Sequence, residues 1–120
     1  MRYILVVDDN SDIRRLLSMT LVNQYEVIEA DNGMGALHAV RKFHPAAVLL
    51  DVMMPGEIDG LQVLDAIKSD PKTRDIPVAM VTARGQQVDR EDAKRRGADA
   101  YFVKPFSPQH VISWILELAH

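Results

Sequence analysis

Residues 3–21 read Tyr3-Ile-Leu-Val-Val-Asp-Asp-Asn-Ser-Asp-Ile-Arg-Arg-Leu-Leu-Ser-Met-Thr-Leu21. Tyr3 to Val7 is apolar without alternation, which suits a strand covered on both faces, as the strands of parallel sheets are. Asp8 and Asp9 end that run. Asn10 or Ser11 then supplies a helix N-cap, and Ile13, Leu16, Leu17, Thr20 and Leu21 recur at the spacing of one helix face.

This strand-then-helix unit repeats along the chain. Tyr25 to Ala30, Ala46 to Leu50, Ile76 to Val81 and Ala100 to Val103 read as four more strands. Ala36, Leu37, Val40 and Phe43 mark a second helix before Pro45, and Leu61, Val63, Leu64 and Ile67 a third that stops at Asp70-Pro71. A fourth helix runs from about Gln86 to Arg96 and ends at Gly97; a fifth has Ser107 as its cap and Pro108 at its first position. Right-handed crossovers turn such an alternation into a parallel sheet with helices on both faces. The expected fold is therefore α/β, a doubly wound (βα)5 sandwich; the alternation does not itself fix the strand order, and the expectation takes the common flavodoxin-like order 2-1-3-4-5. In that order strands 1 and 3 adjoin where the winding reverses, and a crevice opens at their carboxyl ends.

The 120 residues suit one domain, 1–120. Apolar residues at 48% and charged residues at 26% are a globular balance. The net charge of −3 comes with dispersed basic residues, so no direct nucleic-acid partner is expected. With no cysteine there is neither a disulfide framework nor a thiolate metal site, and the expected location is the cytoplasm. No apolar run nears the roughly 20 residues of a membrane span, and the first residues read as a strand instead of a leader, so no membrane partner is expected.

The crevice collects polar groups: Asp8-Asp9 from strand 1, Asp51 from strand 3, Thr82 from strand 4 and Lys104-Pro105 from strand 5. Converging carboxylates repel one another and either take up protons or are neutralised by a cation. Oxygen donors without His or Cys suit Mg²⁺, which often shares its shell with a phosphate. A carboxylate is itself a competent nucleophile toward phosphorus. Asp51, alone at the end of the middle strand, is the expected phosphoacceptor, with Thr82 and Lys104 in reach of the phosphoryl oxygens.

Together these residues resemble the receiver domain of two-component response regulators, the chemotaxis-regulator-like family, over essentially the whole chain. The motifs are Ile4-Leu-Val-Val-Asp-Asp-Asn10, Leu49-Leu-Asp-Val-Met-Met-Pro-Gly56, Asp59-Gly-Leu61, Ile76-Pro-Val78, Thr82-Ala83, Gly97-Ala-Asp-Ala-Tyr101 and Lys104-Pro-Phe106. The resemblance implies that Asp51 receives a phosphoryl group from a sensor histidine kinase or a histidine phosphotransfer protein. It implies a Mg²⁺ cofactor held by Asp9, Asp51 and the backbone carbonyl of Met53, with Asp8 acting largely through water. It also implies a Thr82 hydrogen bond and a Lys104 ion pair to the phosphoryl group, a cis Lys104-Pro105 peptide, and a switch made by Thr82 and Tyr101. Beyond self-phosphorylation and autodephosphorylation it implies no enzyme activity. The stretch Pro55-Gly-Glu-Ile-Asp-Gly60 is one residue longer than the commonest family form, and Met53 and Arg84 occupy its variable positions.

Output requires a bistable element. If Thr82 moves toward phosphate, it vacates space that an outward Tyr101 ring can fill. The fourth helix has only Val88 and Ala93 as apolar anchors and should move cheaply. The fifth is apolar over an arc of about 200°, through Val111, Ile112, Trp114, Ile115, Leu116, Leu118 and Ala119, which exceeds one core stripe. Part of it, with the fourth helix and fifth strand, is expected to meet an output domain, a target protein or a second copy. His38, His44, His110 and His120 read as surface residues, and Met19, Met34, Met53, Met54 and Met80 as packing.

One rival function uses much the same inventory, and another the same fold. A Mg²⁺-dependent aspartyl-nucleophile phosphatase of the haloacid-dehalogenase type needs Asp-x-Asp, but Asp51-Val-Met53 lacks the second acid. A flavodoxin-like nucleotide binder needs a Gly-rich loop after strand 1, where Asp8-Asp9 stands instead.

Overall fold

The computed structural model describes residues 2–118. Five strands alternate with five helices: β1 (Tyr3–Val7), α1 (Ser11–Leu21), β2 (Glu26–Ala30), α2 (Gly33–Phe43), β3 (Ala47–Leu50), α3 (Gly60–Ser69), β4 (Val78–Thr82), α4 (Gln87–Arg95), β5 (Ala100–Val103) and α5 (Pro108–Leu118). All pairings are parallel, in the order β2-β1-β3-β4-β5. Two strands start later than their apolar runs. The Tyr25 amide turns back to the Leu21 carbonyl, which leaves β2 to begin at Glu26. Ile76 donates to Thr73 and Pro77 has no N–H, so the β4 ladder begins at Val78.

The strands of the central sheet send alternate side chains to opposite faces. Leu5, Val7, Val48, Leu50, Val78 and Met80 pack with α2, α3 and Ala93 of α4. Ile4, Val6, Ala47, Leu49, Ala79 and Val81 pack with Leu17 and Leu21 of α1 and Val111 and Ile115 of α5. This two-sided cover explains why β1, β3 and β4 carry no polar alternation.

The helix ends follow local chemistry. Asn10, not Ser11, caps α1 by accepting from the Asp12 amide at 2.9 Å. Asn32 caps α2, and Asp59 and Gln62 form a reciprocal capping box on α3. Pro108 opens α5, and the Ser107 carbonyl accepts from the His110 amide.

Some expected core positions lie elsewhere. Leu16 is exposed because the buried stripe of α1 centres on Leu17 and Leu21. Val88 is 62% exposed, so Ala93 is the buried apolar anchor of α4. In α5, Ile112, Trp114 and Leu118 lean onto the core beside buried Val111 and Ile115, with Trp114 edge-on to Phe102. Much of the broad apolar arc is thus used in packing; Leu116 remains exposed, and Ala119 lies outside the described residues. Met80 is buried and Met54 packs on the core, whereas Met19, Met34 and Met53 are exposed and contribute little packing. His38, His44 and His110 are exposed as expected; His120 lies outside the described residues.

Gly60 determines how closely α3 approaches the end of β3. Its amide donates to the Val52 carbonyl, and a Cβ there would collide with the carbonyl of Asp51. Gly35, in the first turn of α2, has room for a Cβ. Gly60→Ala is expected to lower stability by about 2–3 kcal/mol, while Gly35→Ala should be neutral or raise it by up to ~1 kcal/mol. Urea denaturation of the two variants checks the contrast.

Candidate functional site

The register that pairs Val7 with Leu50 brings the ends of β1 and β3 side by side. Two further backbone bonds carry that alignment past the strands, Asp51 N–H to the Val7 carbonyl and Asp8 N–H to the Ala30 carbonyl. The carboxylates of Asp8, Asp9 and Asp51 consequently converge, each offering an oxygen within 4.8 Å of the others. Asp8 and Asp51 are 2% and 5% exposed, whereas Asp9 faces solvent.

Lys104, just beyond β5, reaches back into this cluster. Its Nζ lies 2.7 Å from Asp8 Oδ2 and 3.3 Å from Asp51 Oδ2. Its own amide donates to the Thr82 carbonyl, and the Lys104-Pro105 peptide is cis. The remaining carboxylate oxygens are also held: Asp8 Oδ1 accepts from the Asn10 amide at 2.9 Å, and Asp51 Oδ1 from the Met53 amide at 3.2 Å.

Three carboxylates face one ammonium, so a negative surplus remains when all are ionised. Burial, followed by the charge of Asp8, pushes the Asp51 carboxyl above its ordinary range, against the pull of the Met53 amide and of Lys104. Burial works against the Lys104 ammonium, but the hydrogen bond to Asp8 and the charges of Asp51 and Asp8 outweigh it and raise that pKa. The ion pair favours both charged forms; at Asp51 burial and a like charge prevail over it.

Thr82 is fully buried at the end of β4, and its Oγ1 accepts from the Arg84 amide at 3.3 Å. Tyr101 is half-buried instead of lying on the surface. Its hydroxyl donates to the Arg84 carbonyl at 2.6 Å, and the Arg90 guanidinium sits 5.3 Å over its ring. Both expected switch residues therefore engage the loop between β4 and α4. Met53 is 53% exposed and, with Asp9, Val52, Met54, Pro55, Asp59 and Arg84, lines an open cleft of about 420 Å³ beside Asp51.

The donor set fits a hard divalent cation: oxygen ligands only, surplus negative charge and one acid open to solvent. Asn10, Arg14 and Asp59 were not singled out for this site in the sequence. Asn10 doubles as a helix cap and Asp59 as a capping-box acid, and those local roles account for them fully. Arg14 donates to the Asp8 carbonyl from six residues away, a spacing that has no motif.

Comparison with known proteins identifies the family and the fold. The family described as "Response regulator receiver domain" matches residues 4–116. "Probable transcriptional regulator ycf27" of Pyropia yezoensis is 48% identical over 109 residues, covering 90% of this chain and 43% of that protein. "Transcriptional regulatory protein SrrA" of Staphylococcus aureus is 43% identical over 110 residues, covering 91% and 44%. The chain thus spans less than half the length of these relatives. The structure of chemotaxis protein CheY4 of Vibrio cholerae superposes with a TM-score of 0.89 at 29% identity, covering 98% of each chain. With a family match across nearly all of its length and a shared fold, this chain belongs to the response regulator receiver domain family.

Proposed function

We propose that the chain takes a phosphoryl group onto the Asp51 carboxylate from a phosphohistidine of a sensor histidine kinase or histidine phosphotransfer protein. A phosphorus–nitrogen bond breaks, a phosphorus–oxygen bond to Asp51 forms, and the donor imidazole leaves. The observation carrying this reading is the buried, charge-frustrated Asp51, which shares the Lys104 ammonium with Asp8 and whose neighbours Val52 and Met53 line an open cleft.

The carboxylates of Asp9 and Asp51 and the Met53 carbonyl are the proposed Mg²⁺ ligands, with Asp8 linked mainly through water. When bound, Mg²⁺ neutralises charge on the acids and on the incoming phosphoryl oxygens. The chain's own groups do the rest. The Met53 amide and Lys104 hold the two Asp51 oxygens in a fixed orientation, which favours in-line attack. Lys104 then pairs with the phosphoryl group. Thr82 exchanges its bond from the Arg84 amide for one that its hydroxyl donates to a phosphoryl oxygen. That exchange reaches Tyr101 through Arg84, whose carbonyl holds the tyrosine hydroxyl.

The proposed response is a shift of α4, which has a single buried apolar anchor, and with it of the surface formed by α4, β5 and α5. That surface would meet an output domain, a target protein or a second copy of the chain. Transcriptional control is a fitting output, given the names and greater length of the relatives. A cytoplasmic site of action suits such partners. Among the described residues no helix is long and apolar enough to cross a membrane.

Incubation with Mg²⁺ and a small acyl phosphate is expected to add one phosphoryl mass to the parent protein and none to Asp51→Asn, read by intact mass spectrometry. An equal gain in the variant, or a gain in the parent without Mg²⁺, contradicts the assignment. A second test follows from the raised Asp51 pKa. The folded state resists ionisation of this group more than the unfolded chain does, so ionised Asp51 destabilises the fold above its folded pKa. In Mg²⁺-free buffer at neutral pH, Asp51→Asn should melt at a higher temperature than the parent. The difference should shrink as pH falls through the folded pKa, where the parent carboxyl protonates.

A further inference from the structure

The first turn of α1 places a guanidinium behind the paired acids. Arg14 Nη1 donates to the backbone carbonyl of Asp8 at 2.7 Å, and Arg14 Nε donates to Glu29 Oε1 on β2 at 3.1 Å. The Arg14 side chain is 19% exposed and that of Glu29 46%, so the arginine lies largely within the structure while its partner faces solvent. Arg14 is also tied through its backbone, donating to the Asn10 carbonyl that begins α1. A single planar fork thus connects the end of β1, the neighbouring strand and the helix that follows.

Asp8 is held at each polar point: its amide by Ala30, its carbonyl by Arg14, and its carboxylate by Asn10 and Lys104. Asp9 is different, with an exposed side chain whose direction follows its backbone. The peptide joining the two acids is planar, so fixing the Asp8 carbonyl also fixes where the Cα of Asp9 lies.

We infer that Arg14 is a positioning residue for the cation site, clamping the Asp8–Asp9 peptide against Glu29 so that Asp9 presents its carboxylate toward Asp51. This rests on the Mg²⁺ reading of the acidic cluster. Outer residues that orient metal ligands typically contribute about 10- to 100-fold in metal affinity. The sign of the effect separates positioning from charge. Removing a cation near a cation site, by electrostatics alone, tightens Mg²⁺ binding; losing the clamp weakens it.

The test is calorimetric titration of the unphosphorylated full chain with Mg²⁺, together with the melting temperature of each metal-free variant. Arg14→Gln is expected to weaken Mg²⁺ binding about tenfold. Arg14→Lys, which keeps the charge but loses the fork, should recover only part of that loss. Glu29→Gln, which keeps an acceptor for Arg14, should stay within about twofold of the parent. A purely structural role for Arg14 would lower the melting temperature and leave the affinity of the folded protein unchanged. Affinity equal to or tighter than the parent's in folded Arg14→Gln overturns the inference while leaving the metal reading intact. If Arg14→Gln does not fold, Arg14→Lys decides, and parental affinity there overturns the inference. Failure of the parent itself to bind Mg²⁺ removes the metal reading and the inference with it.

Discussion

Like-charge repulsion among Asp8, Asp9 and Asp51 is the constraint around which the active end of the sheet is organised. Two of these acids are nearly excluded from water, where an ionised carboxylate is costly unless paired and hydrogen-bonded. Lys104 relieves part of that cost by lying between Asp8 and Asp51, and the Asn10 and Met53 amides relieve a little more. What is left is a carboxylate, that of Asp51, held in place and still short of positive charge. A purely structural ion pair would have been balanced; the surplus here is what the proposed cation would neutralise.

The surrounding fold maintains that imbalance. Fully apolar β1 and β3, covered on both faces, fix the register that sets Asp8 beside Asp51. Gly60 lets α3 begin directly against the backbone of Asp51. In the stretch from Pro55 to Gly60, Gly56 adopts a positive φ of 109°, and Ile58 packs over Gly33 at the start of α2. The cleft beside Asp51 stays open.

The fold was legible because strand burial and helix punctuation pointed the same way: continuous apolar runs for β1, β3 and β4, and Asn, Asp, Gly or Pro at the helix ends. The acids, Thr82 and Lys104 were legible because each stands at or just past the carboxyl end of a strand, the end at which a doubly wound sheet opens its crevice. Less visible were features that depend on orientation. Periodicity alone could not tell that Val88 faces solvent or that Trp114 leans onto Phe102. Nor could it show that Tyr101 is already half-buried with its hydroxyl on Arg84 and Arg90 over its ring, since those contacts join a strand to a loop and a helix across the fold. Arg14 was hidden for the same reason: its acceptor is a backbone carbonyl, which has no signature in the side-chain pattern.

The most direct test of the charge-surplus account is a crystal grown with Mn²⁺ as an anomalous substitute for Mg²⁺. A single anomalous peak within about 2.3 Å of carboxylate oxygens from both Asp9 and Asp51 is the expected result. No peak at the crevice, or a peak bound to only one of the two strands, would contradict it.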